Sequence, residues 1–222
     1  MRNPEQIRHP IAAARRPWDA RLARRLVTPL KDSWVSPNHL TTLRLGVGLG
    51  AAAAFTRGTY GWSNLAALLV ILSNFLDHTD GELARISGKT SRIGHLYDIG
   101  SDAAVTILIF IAIGAGVAAA SGLELMLSPA MLGAISGSAI ALIFFLRMRM
   151  EEMFGKAFTR QPYFAGFETE DVLYLLPLIT LCNGTAPFLL IAAICAPLFA
   201  VWVALDYRRA LRIGRMTRES AG

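Results

Sequence analysis

Charged residues are scarce in this sequence. Asp, Glu, Lys and Arg make up 17% of its 222 residues, whereas they make up about 25% of a typical soluble domain. Apolar residues account for 54%. This balance argues against an ordinary water-soluble domain and indicates a chain surrounded by lipid. The formal net charge is nevertheless +6, so the basic residues must be concentrated in a few places.

Cysteine occurs only twice, at Cys182 and Cys195, each within an apolar stretch. With no CxxC pair, no neighbouring histidine and no secretory context, both are predicted to be small buried hydrophobic residues. A cleavable signal sequence is also missing from residues 1–31, which are basic and interrupted by prolines. Insertion into a membrane is therefore expected to use an internal segment.

Six apolar stretches approach the length that a membrane-spanning helix needs, which is roughly 20 residues. The fifth has fewer apolar residues and is expected to begin within the protein or at the interface. No alternating pattern of barrel strands is present, and lipid-exposed backbone must satisfy its own hydrogen bonds, so helices are expected. The predicted spans are residues 37–57, 62–85, 94–120, 129–150, 169–182 and 187–207.

Basic residues predict the orientation of these spans. All Lys and Arg residues except Arg44 and Arg57 lie before the first span or around the ends of the second, fourth and sixth spans. Because cytoplasmic segments carry an excess of Lys and Arg, both termini are predicted to be cytoplasmic. The predicted fold is an all-α integral membrane protein with six transmembrane helices. Its predicted parts are a basic segment (1–36), the six-helix domain (37–208) and a basic cytoplasmic tail (209–222).

A short amphipathic helix is predicted ahead of the first span. Trp18, Leu22, Leu26 and Leu30 recur at every fourth position, and three arginines fall on the other face. This pattern is typical of a basic juxtamembrane helix that lies on the cytoplasmic leaflet. A basic tail surrounded by solvent is the alternative interpretation.

Four aspartates flank the junction of the second and third predicted spans. Residues three and four positions apart are neighbours on a helix, so these aspartates share faces with small residues. Only eight residues separate Arg85 from Gly94. The two helices are therefore expected to be adjacent and antiparallel, with all four carboxylates in one cytoplasm-facing pocket. One face carries Asp77, Asp80, Gly81 and Ala84, and the other carries Gly94, Asp98 and Asp102.

Four like charges cannot share a pocket unless protons or cations neutralise them. Carboxylate oxygens suit hard cations such as Mg²⁺, Mn²⁺ or Ca²⁺, and pairs of such ions commonly organise attack at phosphorus. Gly81, Ala84 and Gly94 keep the same faces free of bulky side chains, which leaves room for a nucleotide and its pyrophosphate. The sequence therefore predicts a divalent-metal site beside a nucleotide pocket.

The spacing of these residues resembles the signature of a known family, the CDP-alcohol phosphatidyltransferases. That signature reads DxxDGxxAR, then eight residues, then GxxxDxxxD. The segment of residues 37–41 also resembles the start of the family's first helix. Every specified position of the signature is filled, by Asp77, Asp80, Gly81, Ala84, Arg85, Gly94, Asp98 and Asp102.

The resemblance implies a role for each residue. Asp77, Asp80 and Asp98 would bind divalent metal, two Mg²⁺ or Mn²⁺ ions in all, and Asp102 would complete the site and act as general base. An acceptor hydroxyl would attack the phosphorus distal to cytidine, and CMP would leave. The nucleotide pocket would be formed by Gly81, Ala84, Arg85 and Gly94, with further contacts from Asn38 and Thr41.

The resemblance also implies partners and a location. A homodimer is expected in a bacterial inner membrane, in contact with lipids, with a cytoplasmic active site and no nucleic-acid partner. The favoured reaction uses CDP-diacylglycerol as donor in phospholipid biosynthesis. The alternative is a CDP-amino alcohol or CDP-polyol donor with a lipid or polyol-phosphate acceptor, and the run containing Gly100 and Ala103 resembles the amino-alcohol branch slightly.

Other functions for the acidic residues are less consistent with the pattern. Helix caps would require neither four acids nor the accompanying small residues. Intramembrane prenyltransferases use aspartate-rich motifs with Mg²⁺ but lack the Gly-x-x-Ala-Arg continuation. An ion transporter would place its acids near the bilayer midplane, whereas these acids flank a loop that carries Lys89 and Arg92.

Several further polar residues have two interpretations. Arg44 is expected to extend towards the cytoplasmic interface, with a contact to substrate phosphate as the alternative. His78 and His95 are expected to line the site or pack against it. Three acids near the start of the fifth span either stabilise its first turn or form an acceptor pocket; they are Glu168, Glu170 and Asp171.

Overall fold

The computed structural model describes residues 18–121, 126–154 and 174–219. Within these ranges the secondary structure is helical and contains no strand, which confirms the all-α prediction. Glu168, Glu170 and Asp171 lie outside the described residues. The helices are α1 (Trp18–Val27), α2 (Pro37–Phe55), α3 (Tyr60–Ser87), α4 (Arg92–Ser121), α5 (Pro129–Phe154), α6 (Leu176–Leu181) and α7 (Thr185–Glu219).

Helix α1 has the amphipathic character that its sequence predicts. Ala23 and Val27 are buried where α1 packs against α3. Leu22 and Leu26 are 42% and 53% exposed, so the leucine stripe is free to face a bilayer surface. The helix ends at Val27 and is followed by a single 3₁₀ turn, Thr28–Leu30, that contains Pro29. The position of α1 on the cytoplasmic leaflet stays a prediction.

Local signals set the ends of the two helices that follow. Helix α2 begins with a proline at its first position, and the backbone N–H of Ser36 donates to Nδ1 of His39 at 3.2 Å. Helix α3 ends at Gly88, whose φ of 69° is the left-handed conformation that glycine adopts without strain. Only four residues then connect α3 to α4, so the end of α3 and the start of α4 are held at the same short turn.

Three described helices are long and apolar enough to cross a membrane, and they correspond to predicted spans three, four and six. Helices α2 and α3 form where spans one and two were predicted, but they carry more polar and charged residues and are not among these three. The first five residues of the predicted fifth span, 169–173, lie outside the described residues, and α6 forms within the remainder of that span. The apolar helical bundle is shown, and the count of six spans stays a prediction.

The far end of the bundle carries features of a membrane interface. Tyr60 and Trp62 are 51% and 48% exposed at the start of α3, and the Arg57 guanidinium lies 5.9 Å from the centre of the Trp62 ring. Exposed Trp and Tyr are typical of the boundary between lipid and water. These residues lie at the opposite end of α3 from the aspartates, as the predicted orientation requires.

The core is built from small residues that allow helices to approach closely. Phe55 and Val70 pack with Ile109, Ile113 and six alanines of α2, α3 and α4 in one buried cluster. A side chain at Gly133 of α5 would collide with the backbone carbonyl of Phe110 in α4. The close contact of α4 and α5 therefore depends on glycine, as small-residue packing in membranes usually does.

Helix α2 lies between α3 and α4. It packs along both of them, whereas no Cα atom of α3 lies within 8 Å of a Cα atom of α4. The expectation that α3 and α4 are adjacent was therefore wrong. The short turn joins their ends, but the helix bodies diverge around α2, and this separation leaves a cleft in which their side chains face each other.

Two further expectations need correction or qualification. Cys182, directly after α6, and Cys195, on α7, are free and exposed instead of buried, because an apolar side chain that lipid can surround requires no cover from protein. Helix α7 continues without a break across residues 208 and 209 to Glu219. The predicted domain limits at 36/37 and 208/209 stay predictions.

Candidate active site

Three carboxylates meet at the cleft between α3 and α4. Asp77 of α3 and Asp98 and Asp102 of α4 each offer one oxygen, and these three oxygens lie within 4.8 Å of one another. Their side chains are 38%, 36% and 49% exposed, so the cluster is open to a ligand on one side. A group of carboxylate oxygens at this separation is the donor set that hard divalent cations prefer. The residues fit a divalent metal.

Arg44 of α2 reaches into the same cluster. Its Nη1 donates to Asp77 and to Asp102, and its Nη2 lies 3.3 Å from Oδ1 of Asp98. The arginine side chain is only 3% exposed. The expectation that Arg44 extends to the interface was wrong, because three carboxylates of α3 and α4 stabilise its guanidinium inside the bundle.

Asp80 lies beside the cluster, not in it. Its side chain is buried, and Oγ1 of Thr41 donates to its Oδ2 at 2.8 Å. A hydrogen bond to a charged group is worth about 1.5–3 kcal/mol, so Thr41 holds this carboxylate in place. Thr41 is itself only 3% exposed, so both partners of this hydrogen bond are buried. The membership of Asp80 in a four-carboxylate metal site and a nucleotide contact from Thr41 stay predictions.

The small residues of the motif differ in their surroundings. A side chain added at Gly81 would meet nothing closer than the Arg85 guanidinium at 4.0 Å, so the space over this residue is open. At Gly94, by contrast, an added Cβ would lie 2.7 Å from Oδ1 of Asn38. Gly94 therefore allows α4 to approach the start of α2, where Asn38 is exposed.

The remaining predicted nucleotide residues lie on the last turns of α3. Ala84 is half-buried. The Arg85 side chain is 69% exposed and forms an ion pair with the buried carboxylate of Glu82. An exposed guanidinium beside the open space at Gly81 is suitable for contact with a phosphate.

A cavity of about 460 Å³ extends from the carboxylates into the apolar interior. Arg44, Asp77 and Asp102 form its polar end. Leu142 and Phe145 of α5 form part of its wall and are 46% and 44% exposed on the bundle surface. The cavity therefore extends from the acidic cluster to exposed residues of α5. Its deeper walls include Val105, Ile109, Phe110, Phe144 and Met148.

The two motif histidines have defined surroundings. Nδ1 of His78 lies 3.0 Å from the backbone oxygen of Asn74, and His78 lines the cavity. Nε2 of His95 lies 3.1 Å from Glu152, which also accepts a 2.7 Å hydrogen bond from Arg149. His95 therefore joins the start of α4 to the end of α5.

The geometry can be compared with known proteins. Residues 34–205 match the family model for CDP-alcohol phosphatidyltransferase. The chain belongs to this family. This match confirms the family that the motif had indicated.

Two relatives carry more specific names. A segment of 90 residues is 34% identical to cholinephosphotransferase 1 of Danio rerio, covering 37% of this chain and 23% of that protein. A segment of 97 residues is 33% identical to cholinephosphotransferase 1 of Homo sapiens, covering 40% of this chain and 23% of that protein. The matched segment thus spans about a quarter of each relative's length.

Proposed function

We propose that this protein is a metal-dependent phosphotransferase that moves a substituted phosphate from a CDP-alcohol to a second alcohol. The observation that carries the proposal is the convergence of Asp77, Asp98 and Asp102 on one point, in a chain that belongs to this family. A divalent metal bound there would neutralise phosphate charge at the reacting centre. Mg²⁺ and Mn²⁺ are the candidate ions, two of them per site, with Asp80 as a further ligand.

Asp102 is proposed as the general base. Its carboxylate is the most exposed of the three and lines the cavity, so an acceptor hydroxyl in the cavity can reach it. The hydroxyl proton passes to Asp102 while the hydroxyl oxygen forms a bond to the phosphorus distal to cytidine. The bond between that phosphorus and the oxygen of CMP breaks, and CMP leaves.

The donor is proposed to bind over the open face of α3. Gly81 leaves the required volume, and Arg85 presents an exposed guanidinium at its edge. Ala84, Gly94 and Asn38 complete the proposed nucleotide pocket. Thr41 donates a buried hydrogen bond to Asp80, and this bond fixes the Asp80 side chain, which precedes Gly81 in α3.

For the substrates, we propose a CDP-amino alcohol donor and a lipid alcohol acceptor. The two relatives are named cholinephosphotransferases, and this favours the amino alcohol over CDP-diacylglycerol, which was the first expectation from the motif. The apolar cavity supports the presence of a lipid substrate, because its wall at Leu142 and Phe145 reaches the lipid-facing surface. In this assignment the lipid supplies the attacking hydroxyl. The predicted homodimer and the cytoplasmic position of the site belong to the same proposal.

Release of radiolabelled CMP tests the assignment. Purified protein with Mg²⁺ would receive CDP-choline, CDP-ethanolamine or CDP-diacylglycerol, each with diacylglycerol or with a small polar alcohol. We expect CMP release from a CDP-amino alcohol that depends on diacylglycerol. Release from CDP-diacylglycerol that depends on a polar alcohol would return the assignment to the first expectation. Asp98→Asn, which removes one carboxylate charge from the cluster, is the inactive control.

A further inference from the structure

Arg44 contacts all three carboxylates of the cluster from one side. Two of them accept hydrogen bonds from Nη1, and Nη2 lies 3.3 Å from the Asp98 carboxylate and donates to the Asp98 backbone oxygen at 3.3 Å. The backbone oxygen of Arg44 accepts a 3.2 Å hydrogen bond from Ser73, which fixes α2 against α3 at this level. One buried cation thereby joins α2, α3 and α4.

The Arg44 guanidinium does not satisfy every hydrogen-bonding atom of the cluster. Among the described residues, Nε of Arg44 and Oδ1 of Asp98 are buried and have no hydrogen-bond partner. Three carboxylates also carry more negative charge than one guanidinium can balance. The cluster therefore has remaining affinity for a second cation, and one of its buried oxygens is available to bind it.

A divalent cation and Arg44 would use the same three carboxylates. Like charges within about 4 Å repel each other strongly where water is scarce, so a metal among these carboxylates and a guanidinium in its present place oppose each other. The cavity that Arg44 lines gives the guanidinium space into which it can move. Arginine is suited to such a role because its charge is permanent and its planar fork can contact several carboxylates.

We propose that Arg44 is a tethered counter-cation that holds Asp77, Asp98 and Asp102 together without metal and competes with divalent metal for them. It thereby lowers the metal affinity of the site and keeps α2, α3 and α4 assembled in the metal-free state. The inference rests on the divalent-metal site of the proposed function, and it gives Arg44 a positioning role instead of a catalytic one.

Titration of the purified full chain with Mn²⁺, with free Mn²⁺ measured by electron paramagnetic resonance, tests the competition. Arg44→Gln should bind Mn²⁺ at least about tenfold more tightly than the unmodified protein, because a competing unit charge has been removed. Arg44→Lys keeps the charge but loses the planar fork, and its affinity should lie between the two. In chelator, Arg44→Gln should melt at a lower temperature than the unmodified protein. Addition of Mn²⁺ should raise its melting temperature by more than it raises that of the unmodified protein.

Arg147→Gln is the matched control. Arg147 is a half-buried arginine on α5 that lies over the Phe199 ring at 5.6 Å, and no ion pair joins it to the cluster among the described residues. Its replacement should leave Mn²⁺ affinity unchanged. A tenfold gain in this variant too would show a general charge effect and overturn the specific role of Arg44.

The outcomes separate the inference from the proposed function. Equal or weaker Mn²⁺ binding by Arg44→Gln overturns the inference, while Mn²⁺ binding that is lost in Asp98→Asn still supports the metal site. Failure of every variant to bind Mn²⁺ overturns both. If Arg44→Gln folds only when Mn²⁺ is present, the inference is supported. If it folds in neither condition, Arg44→Lys decides: tighter binding than the unmodified protein supports the inference, and equal or weaker binding overturns it.

Discussion

Asp80 and Asp102 occupy equivalent places in the sequence motif but have different surroundings in the structure. Asp80 is 4% exposed and accepts a hydrogen bond from Thr41. The Asp102 side chain is 49% exposed and lines the cavity. Both carboxylates accept a hydrogen bond, Asp102 from Arg44, so they differ in exposure. A buried carboxylate is suited to hold charge in a fixed position, whereas an accessible one can exchange a proton with substrate.

Substitution by asparagine should separate these two roles. Asp102→Asn keeps the shape but loses the basic oxygen, so turnover should fall by roughly 10²–10⁴-fold while donor affinity stays within a few-fold. Asp80→Asn removes charge beside the metal site and should reduce both turnover and donor affinity. Turnover and donor affinity measured at saturating Mg²⁺ provide the comparison. Near-normal turnover in Asp102→Asn would transfer the role of base to another acid, with Asp98 the first candidate.

The open space at Gly81 supports a second prediction at this scale. Gly81→Leu should abolish donor binding without loss of folding, because the new side chain would fill volume that is free in the structure and that we assign to the nucleotide. Isothermal titration with a CDP-alcohol measures the effect. Gly46→Leu, at an exposed glycine of α2 with nothing within 4 Å, is the control. Unchanged affinity in Gly81→Leu would place the nucleotide elsewhere.

Individual residues also show where sequence reasoning succeeds and where it stops. The motif spacing predicted that Asp77, Asp98 and Asp102 come together, because residues three or four positions apart share one helical face and a short connection joins the two helices. It could not place Arg44, whose partners are 33, 54 and 58 positions away and depend on the packing of three helices. The available signal was that Arg44 is an ionisable residue inside a membrane segment, and such residues usually have a charged partner.

At the scale of helices, the position of α2 between α3 and α4 determines the site. The eight residues between Arg85 and Gly94 predicted adjacent helices, but a short connection constrains only the helix ends. The bulk of α2 separates the helix bodies and creates the cleft. Helix existence and approximate limits were predictable from apolar length, whereas this order of packing was not.

Helix α5 should control access of the lipid substrate. Ala141 lines the cavity, so Ala141→Phe would fill part of it and should raise the KM for diacylglycerol at least several-fold with little effect on donor affinity. Ser138→Phe places the same side chain on an exposed position of α5 outside the cavity lining and should behave as the unmodified protein. Acceptor kinetics in mixed micelles measure the difference. Equal KM values in both variants would argue against the cavity as the lipid site.

At the scale of the whole molecule, the charge distribution predicts the topology. The predicted spans assign nearly all basic residues to the end that carries the acidic cluster, and Arg57 lies with exposed Tyr60 and Trp62 at the other end. Both termini should therefore be cytoplasmic. A C-terminal tag should be protected from protease in intact cells and cleaved after permeabilisation. Cleavage in intact cells would contradict an even number of spans with this orientation.

The central claim is that metal held by the carboxylate cluster supports phosphotransfer, and CMP release after removal of metal tests it most directly. The purified chain, stripped with chelator and supplied with a CDP-amino alcohol and diacylglycerol, should release no CMP above background. Addition of Mg²⁺ or Mn²⁺ should restore release in the unmodified protein but not in Asp98→Asn, because the variant lacks one of the three charges that bind the ion. Full turnover in excess chelator, with no metal present in the protein, would contradict the account.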